Sequence, residues 1–298
     1  MNFGGLTLHE AAVRTWTRVI EHAIMTRAAA ISFYAIAALV PFMALLIALT
    51  AHWLPWIGRQ ITADSNSDFV APFGELLPGD AASFISRELS RLRTKPPFGF
   101  ISLGLAAVLW LSSSVFVEII DALNFIVAVR EKRPFWKRRA IAIVMTLSQA
   151  AILIVAVLTI ITWPQIVNLL HLSRAGAILA TVIHQATVFV AVLVSFALAL
   201  YFAPDADQHW EWISPGSLSG TAVLLAVSLL FRIYAQHWGN YSATYGSLAG
   251  IVVLMSWLWL STVVLLTAAE LNKVIKDASP VDKPAGKNPE RAAGNADD

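Results

Sequence analysis

Six windows of this 298-residue chain are long and apolar enough to cross a bilayer, and they govern what the rest can fold into. A helical crossing needs about 20 largely apolar residues, because in hydrocarbon every backbone N–H and C=O must be satisfied within the segment. The windows run 28–54, 98–120, 140–163, 177–203, 216–235 and 247–271. The chain is 57% hydrophobic and 13% charged, with a mean hydropathy of +0.67, far more apolar than a soluble domain. An all-α membrane protein is expected, with six transmembrane helices in one domain at 28–272.

The flanks read differently. Residues 1–27 carry Glu10, Arg14, Arg18 and Glu21, which interrupt any apolar core before Arg27, so no cleavable signal peptide is expected. Leu8, Ala12, Trp16, Val19 and Ala23 recur at helical spacing with Arg14, Arg18 and Glu21 largely off that stripe. This predicts an amphipathic helix, lying in the membrane interface or packed beneath the membrane domain. Between the first two windows, Asp80 precedes Phe84, Ile85, Leu89 and Leu92, which predicts a helix within the loop from Pro55 to Pro97. The segment 273–298 has Pro280, Pro284 and Pro289 and no apolar periodicity, so a disordered tail is expected.

Orientation follows from Lys and Arg in the connections. With the amino terminus inside, Arg14, Arg18, Arg27, the six cations from Arg130 to Arg139, Lys273, Lys276, Lys283, Lys287 and Arg291 fall on the cytoplasmic side, fourteen in all. Only Arg59, Arg87, Arg91, Arg93, Lys95 and Arg174 fall outside. Both termini are therefore expected in the cytoplasm, with Trp53, Trp56, Trp163, Trp210, Trp212 and Trp238 near span ends. A net charge of +2 gives no reason to expect nucleic acid, and membrane lipids are the expected partners. With no cysteine, thiolate metal sites and disulfides are excluded.

Inside the windows, Pro41 cannot donate to the carbonyl of Ala37, so the first span is expected to kink or open a turn. His184 is a candidate relay or a packing residue. Gly216 and Gly220 form a small-xxx-small pattern that lets helices approach closely. Asn240 to Gly246 reads as a tight polar hairpin.

The chemistry concentrates between Leu109 and Arg139. Glu118, Asp121 and Asn124 are spaced by three and share a helix face, before a basic run broken at Arg133-Pro134-Phe135-Trp136. Glu270 and Asn272 close the last window at the same expected side of the membrane, where Arg27, Arg130 and Arg139 are available as pairing cations. Asp205 and Asp207 could face the basic run from a turn after the fourth window. A carboxylate at membrane depth costs roughly 3 kcal/mol unless it pairs, protonates or faces the bundle interior. Two readings follow: an ion or proton site or gate held by acid–base pairs, and a structural clamp at the lipid boundary. No HExxH, P-loop, GxSxG or paired metal-ligand spacing occurs, and the seven histidines form no group in the sequence. No enzyme, metal or cofactor is expected.

Taken in order, several motifs resemble the YihY/BrkB family of bacterial inner-membrane proteins, historically mislabelled ribonuclease BN. They are Ala30 to Tyr34 with Pro41, Leu109 to Ser113, Asp121 to Asn124, Arg133 to Lys137, Tyr201, Pro204 and Trp212 to Gly216, Tyr241 to Gly246, and Ala269 to Asn272. The resemblance runs from about Arg27 to Asn272 and implies a six-span inner-membrane protein that supports envelope integrity. It implies a transport role with no agreed substrate; passage of an ion, lipid or small amphiphile is the expected function, the alternative being a non-transporting envelope scaffold or assembly factor. It brings no catalytic residues.

Overall fold

The computed structural model describes residues 5–53, 101–169, 174–206, 214–237 and 248–279. The loop expected around Asp80, the connection from Asn240 to Gly246, Asp207, Trp210, Trp212 and the tail beyond Ser279 lie outside the described residues. Those described are helical, with no strand. In chain order the helices are α1 (Leu8–Glu21), α2 (Ile24–Trp53), α3 (Ile101–Ser112), α4 (Ser114–Val127), α5 (Phe135–Leu169), α6 (Arg174–Phe202), α7 (Pro215–His237) and α8 (Leu248–Ala278).

Local chemistry sets several of these limits. α1 starts at a capping box: the Glu10 amide donates to Thr7 Oγ1 at 3.2 Å while the Thr7 amide donates to Glu10 Oε2 at 2.9 Å. It stops where Ala23 takes a left-handed φ of 49°, and the chain turns by 65° into the first half of α2. α2 runs on through Pro41. α3 and α4 are separated by one residue, Ser113, and the carbonyl of Trp110 accepts from Ser113 Oγ at 2.9 Å and Ser114 Oγ at 3.2 Å. Hydroxyls thus satisfy a backbone group that the break leaves without its helical partner. α4 ends at Ala128, left-handed at φ 61°, and the Val129 amide donates back to the Asn124 carbonyl at 3.0 Å.

Five stretches are long and apolar enough to cross a membrane: 106–127, 135–159, 178–202, 215–234 and 250–278. The bent pair of α1 and the start of α2 makes a sixth if counted as one span. The expected all-α membrane class is what the chain adopts.

Packing is concentrated where α1 and α2 meet, α4 ends, α5 begins, α6 ends, α7 begins and α8 ends, referred to below as the polar end. Ile24, Ala28 and Ile31 of α2, Ile120, Leu123 and Ile126 of α4, Phe196 and Ala199 of α6, and Leu266 and Ala268 of α8 form one buried cluster there. α4 is its centre, touching α2, α5 and α8. The expected close approach at the glycines is real: a Cβ on Gly216 would sit 2.2 Å from the Ala268 carbonyl oxygen, and one on Gly220 2.8 Å from the Ala268 Cβ.

α1 is amphipathic as expected, with most of the stripe exposed and Val19 buried. Its buried residues are Ala11, Thr15 and Val19, which pack toward α8, while Leu8, Trp16 and Ile20 are exposed. Small side chains let the two helices approach, and the large apolar ones point outward, where a membrane helix meets lipid.

Candidate functional site

All five sequence-predicted polar residues, Glu118, Asp121, Asn124, Glu270 and Asn272, lie on the packed part of α4 or α8, but they do not form one site. Asp121, Asn124, Glu270 and Asn272 belong to separate networks, each with its own partners, and Glu118 stands beside them.

The first network ties α4 to the two turns that flank α5 and α6. Asn124, 4% exposed, donates from Nδ2 to Glu131 Oε2 at 2.8 Å and accepts the Asp205 amide on Oδ1 at 2.7 Å. Glu131 accepts from Arg133 Nε at 2.7 Å and Nη2 at 2.8 Å, a bidentate pair, and from the Arg133 amide at 3.0 Å. Arg133 Nη2 also donates to the Ala203 carbonyl at 2.8 Å, and its Nε lies 3.5 Å from Asp205 Oδ1. Asp205 accepts the Lys132 amide at 2.8 Å, so this acid does face the basic run. Hydrogen bonds from Arg133, opposed by burial and reinforced by Asn124, hold the Glu131 carboxyl down to about 2. The same carboxylate holds the Arg133 guanidinium above its ordinary value.

Asp121 pairs with Arg138, whose Nη2 also donates to the Val117 carbonyl at 3.2 Å. Glu118 lies nearly one turn before Asp121, half-buried, and has no ion-pair partner among the described residues. Arg139, 7% exposed, donates to the Trp110 carbonyl and to Ser114 Oγ at 3.3 Å, with its guanidinium carbon 4.0 Å from the Trp110 ring centroid. It therefore secures the α3–α4 break. Trp110, Phe135 and Trp136 form an exposed aromatic cluster beside it.

Glu270 is fully buried, and its Oε1 pairs with His22 Nδ1 at the bend between α1 and α2. Its other oxygen, Oε2, is buried with no hydrogen-bond partner among the described residues. The Phe125 ring meets His22 edge-on at 5.1 Å, and Arg27 sits 3.6 Å over that same ring while its Nε donates to the His22 carbonyl at 3.1 Å. Farther along α8, Asp277 takes Arg18 and Lys273, each at 2.8 Å. Asn272 accepts the Gly216 amide at 2.7 Å and donates to Ser214 Oγ at 3.0 Å, which satisfies an otherwise unpaired amide at the start of α7.

The expected pairing cations are thus corrected. Arg27 is taken up by a ring and a backbone carbonyl, Arg139 by Trp110 and Ser114, and Arg130 is exposed; none pairs with a carboxylate among the described residues. Arg133, Arg138, Arg18, Lys273 and His22 do so instead. His22 is the functional candidate that sequence reasoning missed, because 248 residues separate it from Glu270 and no spacing rule joins them. His184, weighed as a relay, stacks on Trp163 with ring centroids 5.5 Å apart. Among the described residues no group of three His, Asp or Glu side chains could hold a metal ion.

The virulence factor BrkB family model matches residues 15–293, nearly the whole chain. The chain belongs to this family. It is 26% identical over 264 residues to a ribonuclease-like protein, YfkH, of Bacillus subtilis (strain 168), covering 87% of this chain and 93% of that one. It is 23% identical over 268 residues to a UPF0761 membrane protein of Vibrio atlanticus (strain LGP32), covering 87% and 80%. A UPF0761 membrane protein of Pseudoalteromonas translucida (strain TAC 125) is 23% identical over 271 residues, covering 90% and 86%. No solved structure matches the chain.

Proposed function

We propose that this multi-pass membrane protein is a permease of the bacterial inner membrane that lets an ion, lipid or small amphiphile pass and so supports envelope integrity. In this reading both termini are cytoplasmic, and the polar end is the closed cytoplasmic gate. The observation that carries it is Glu270: a wholly buried carboxylate, paired through one oxygen to His22 at a 65° bend and left on the other without a hydrogen-bond partner among the described residues. A clamp would satisfy both oxygens, since a buried charge with half its partners is costly to keep. A group at a bend that gains or loses a proton or partner can bias two arrangements.

A second reading, a non-transporting envelope scaffold, is favoured by the close packing of α7 on α8 and by the paired acids Glu131, Asp121 and Asp277. Neither reading assigns an enzymatic reaction, and the name of the Bacillus relative speaks only for that protein. Purified protein is expected to leave RNA intact under conditions where a ribonuclease control degrades it.

The readings separate in cells lacking the chromosomal copy. Glu118→Gln combined with Glu270→Gln is expected to accumulate in the membrane at normal level and fail to relieve an envelope-stress phenotype. Full complementation by the double variant contradicts a functional role for these carboxylates.

A further inference from the structure

Glu270 holds Oε1 against His22 Nδ1, while Oε2 is buried with no hydrogen-bond partner among the described residues. Buried carboxylates are normally satisfied on both oxygens, so the surroundings decide what this one can take up. A metal ion needs several ligands, and no three His, Asp or Glu side chains converge to hold one among the described residues. A proton needs one oxygen and a route to water. His22 offers that route: its side chain is 27% exposed, whereas that of Glu270 is wholly buried. With Nδ1 committed to Glu270, Nε2 is the ring nitrogen left to exchange with water. His22 is also the C-cap of α1, one residue before the left-handed Ala23, so the pair joins the bend to α8.

The charged groups facing the pair come from four helices. From α1, Arg18 attracts Glu270 but is itself held by Asp277, and the neighbouring Glu21 is exposed. From α8, Asp277 opposes the Glu270 charge and also holds Lys273. From α2, Arg27 lies over the Phe125 ring and donates to the His22 carbonyl. α4 meets His22 with Phe125, and its acids Glu118 and Asp121 lie near Arg138 instead. The first two turns of α7 carry no charged residue. Among the described residues, His22 is thus the ionisable group in direct contact with Glu270.

We infer that His22 and Glu270 form a proton-exchange site that links the proposed gate to the proton concentration at the polar end. Nε2 takes a proton from water, the Nδ1–H bond breaks as its proton passes to Oε1, and the imidazole is left neutral in the other tautomer. The pair passes from one net negative charge to none, and the reverse steps return the proton to water. Once Glu270 is neutral, a neutral hydrogen bond replaces a charge-assisted one where α1 meets α8, and Arg18–Asp277 remains as an ionic tie between these helices. The inference rests on the permease reading for its consequence, control of the gate by protons, but the protonation itself is measured without flux.

The test is infrared difference spectroscopy of the full-length protein in lipid nanodiscs, with the pH stepped from about 8 to about 5, the span in which histidine changes charge. The carbonyl stretch of a protonated carboxyl is expected to grow in as the pH falls and to be lost in Glu270→Gln. In His22→Gln the band is expected to lose its pH dependence over that span, because Gln keeps a donor beside Oε1 but carries no exchangeable charge. A single monodisperse elution peak checks the fold of each variant. Nitrogen NMR of the wild type with labelled histidine, its His22 signals assigned by their loss in His22→Gln, is expected to show the ring changing tautomer together with the band, a readout that does not need Glu270→Gln to fold. No band, a band that survives Glu270→Gln, or a pH dependence unchanged in His22→Gln overturns the site. A proton-exchanging pair in a protein that passes no cargo in vesicles upholds the site and contradicts the permease reading. Cargo flux without the carboxyl band does the reverse.

Discussion

Along α6 the surroundings of the side chains invert. Ile178, Leu179, Val182, Ile183 and Val190 are exposed, whereas Phe196, Ala197, Ala199 and Leu200 are buried. α7 runs the other way along the chain and inverts too: Gly216, Ser217, Gly220 and Thr221 are buried, and Val223, Leu229, Leu230 and Ile233 are exposed. In α8, Val252 and Met255 are exposed and Leu266, Ala268, Ala269 and Glu270 are buried. At the polar end, small residues bring backbones together and hydroxyls serve their own helices, as when Thr221 Oγ1 donates to the Ser217 carbonyl at 2.7 Å. Over the rest of the described spans, large apolar side chains face outward, and only 17–33% of each spanning window is buried. Among the described residues, close packing and the paired acids thus share one end, and outward-facing apolar surface dominates the other.

That contrast can be broken deliberately. The largest effect is expected from His22→Ala, which leaves the buried Glu270 carboxylate unpaired and should cost about 3 kcal/mol in reversible unfolding in mixed micelles. If Glu270→Gln restores most of the loss in the His22→Ala background, the cost lies in the stranded charge; no recovery would place it in packing. Gly216→Val drives a side chain onto the Ala268 backbone, which cannot move aside, so about 2–3 kcal/mol is expected in the same measurement. Asn124→Ala strips partners from Glu131 and the Asp205 amide and should cost about 2 kcal/mol. At the other extreme, Leu229→Ala on the outward face of α7 should change stability by no more than about 0.5 kcal/mol. A loss there as large as that of Asn124→Ala would mean that the exposed face is covered by something that holds the fold.

Acid gives a smaller and more local effect. The Glu131 carboxyl titrates at about 2 in the folded chain, below the ordinary 4.5, so the unfolded chain binds more protons between those values. The Glu131–Arg133 pair therefore contributes fully above about pH 4.5, and its contribution is lost as pH falls toward 2. Glu131→Gln should flatten that part of the stability–pH curve and leave the range from pH 6 to 8 without a pH-dependent change.

Much of the fold was legible because a bilayer allows few solutions. A run such as 140–163 can only be a helix if it crosses hydrocarbon, and α5 covers it. The spacing of Gly216 and Gly220 announced a close approach that the contacts with Ala268 realise. The interruption at Ser113 was not legible, since Ser112, Ser113 and Ser114 interrupt a helix only because Arg139 and two hydroxyls take over the Trp110 carbonyl. The candidate site was half legible. Periodicity placed Glu118, Asp121 and Asn124 on one helix, but partner choice depends on which helices meet. Arg27 looked like a counter-ion and instead covers Phe125, while His22, unremarkable in sequence, meets Glu270.

Glu270 is the centre of the proposed gate. Proteoliposomes holding the wild-type protein or Glu270→Gln, assayed in parallel for protons, sodium and labelled phospholipid, test this most directly. The wild type is expected to pass one of these cargoes above protein-free vesicles, and Glu270→Gln to change the rate at least about ten-fold at equal reconstitution. Identical rates for wild type and variant, or no flux of any cargo, would contradict it and leave the polar end as a scaffold.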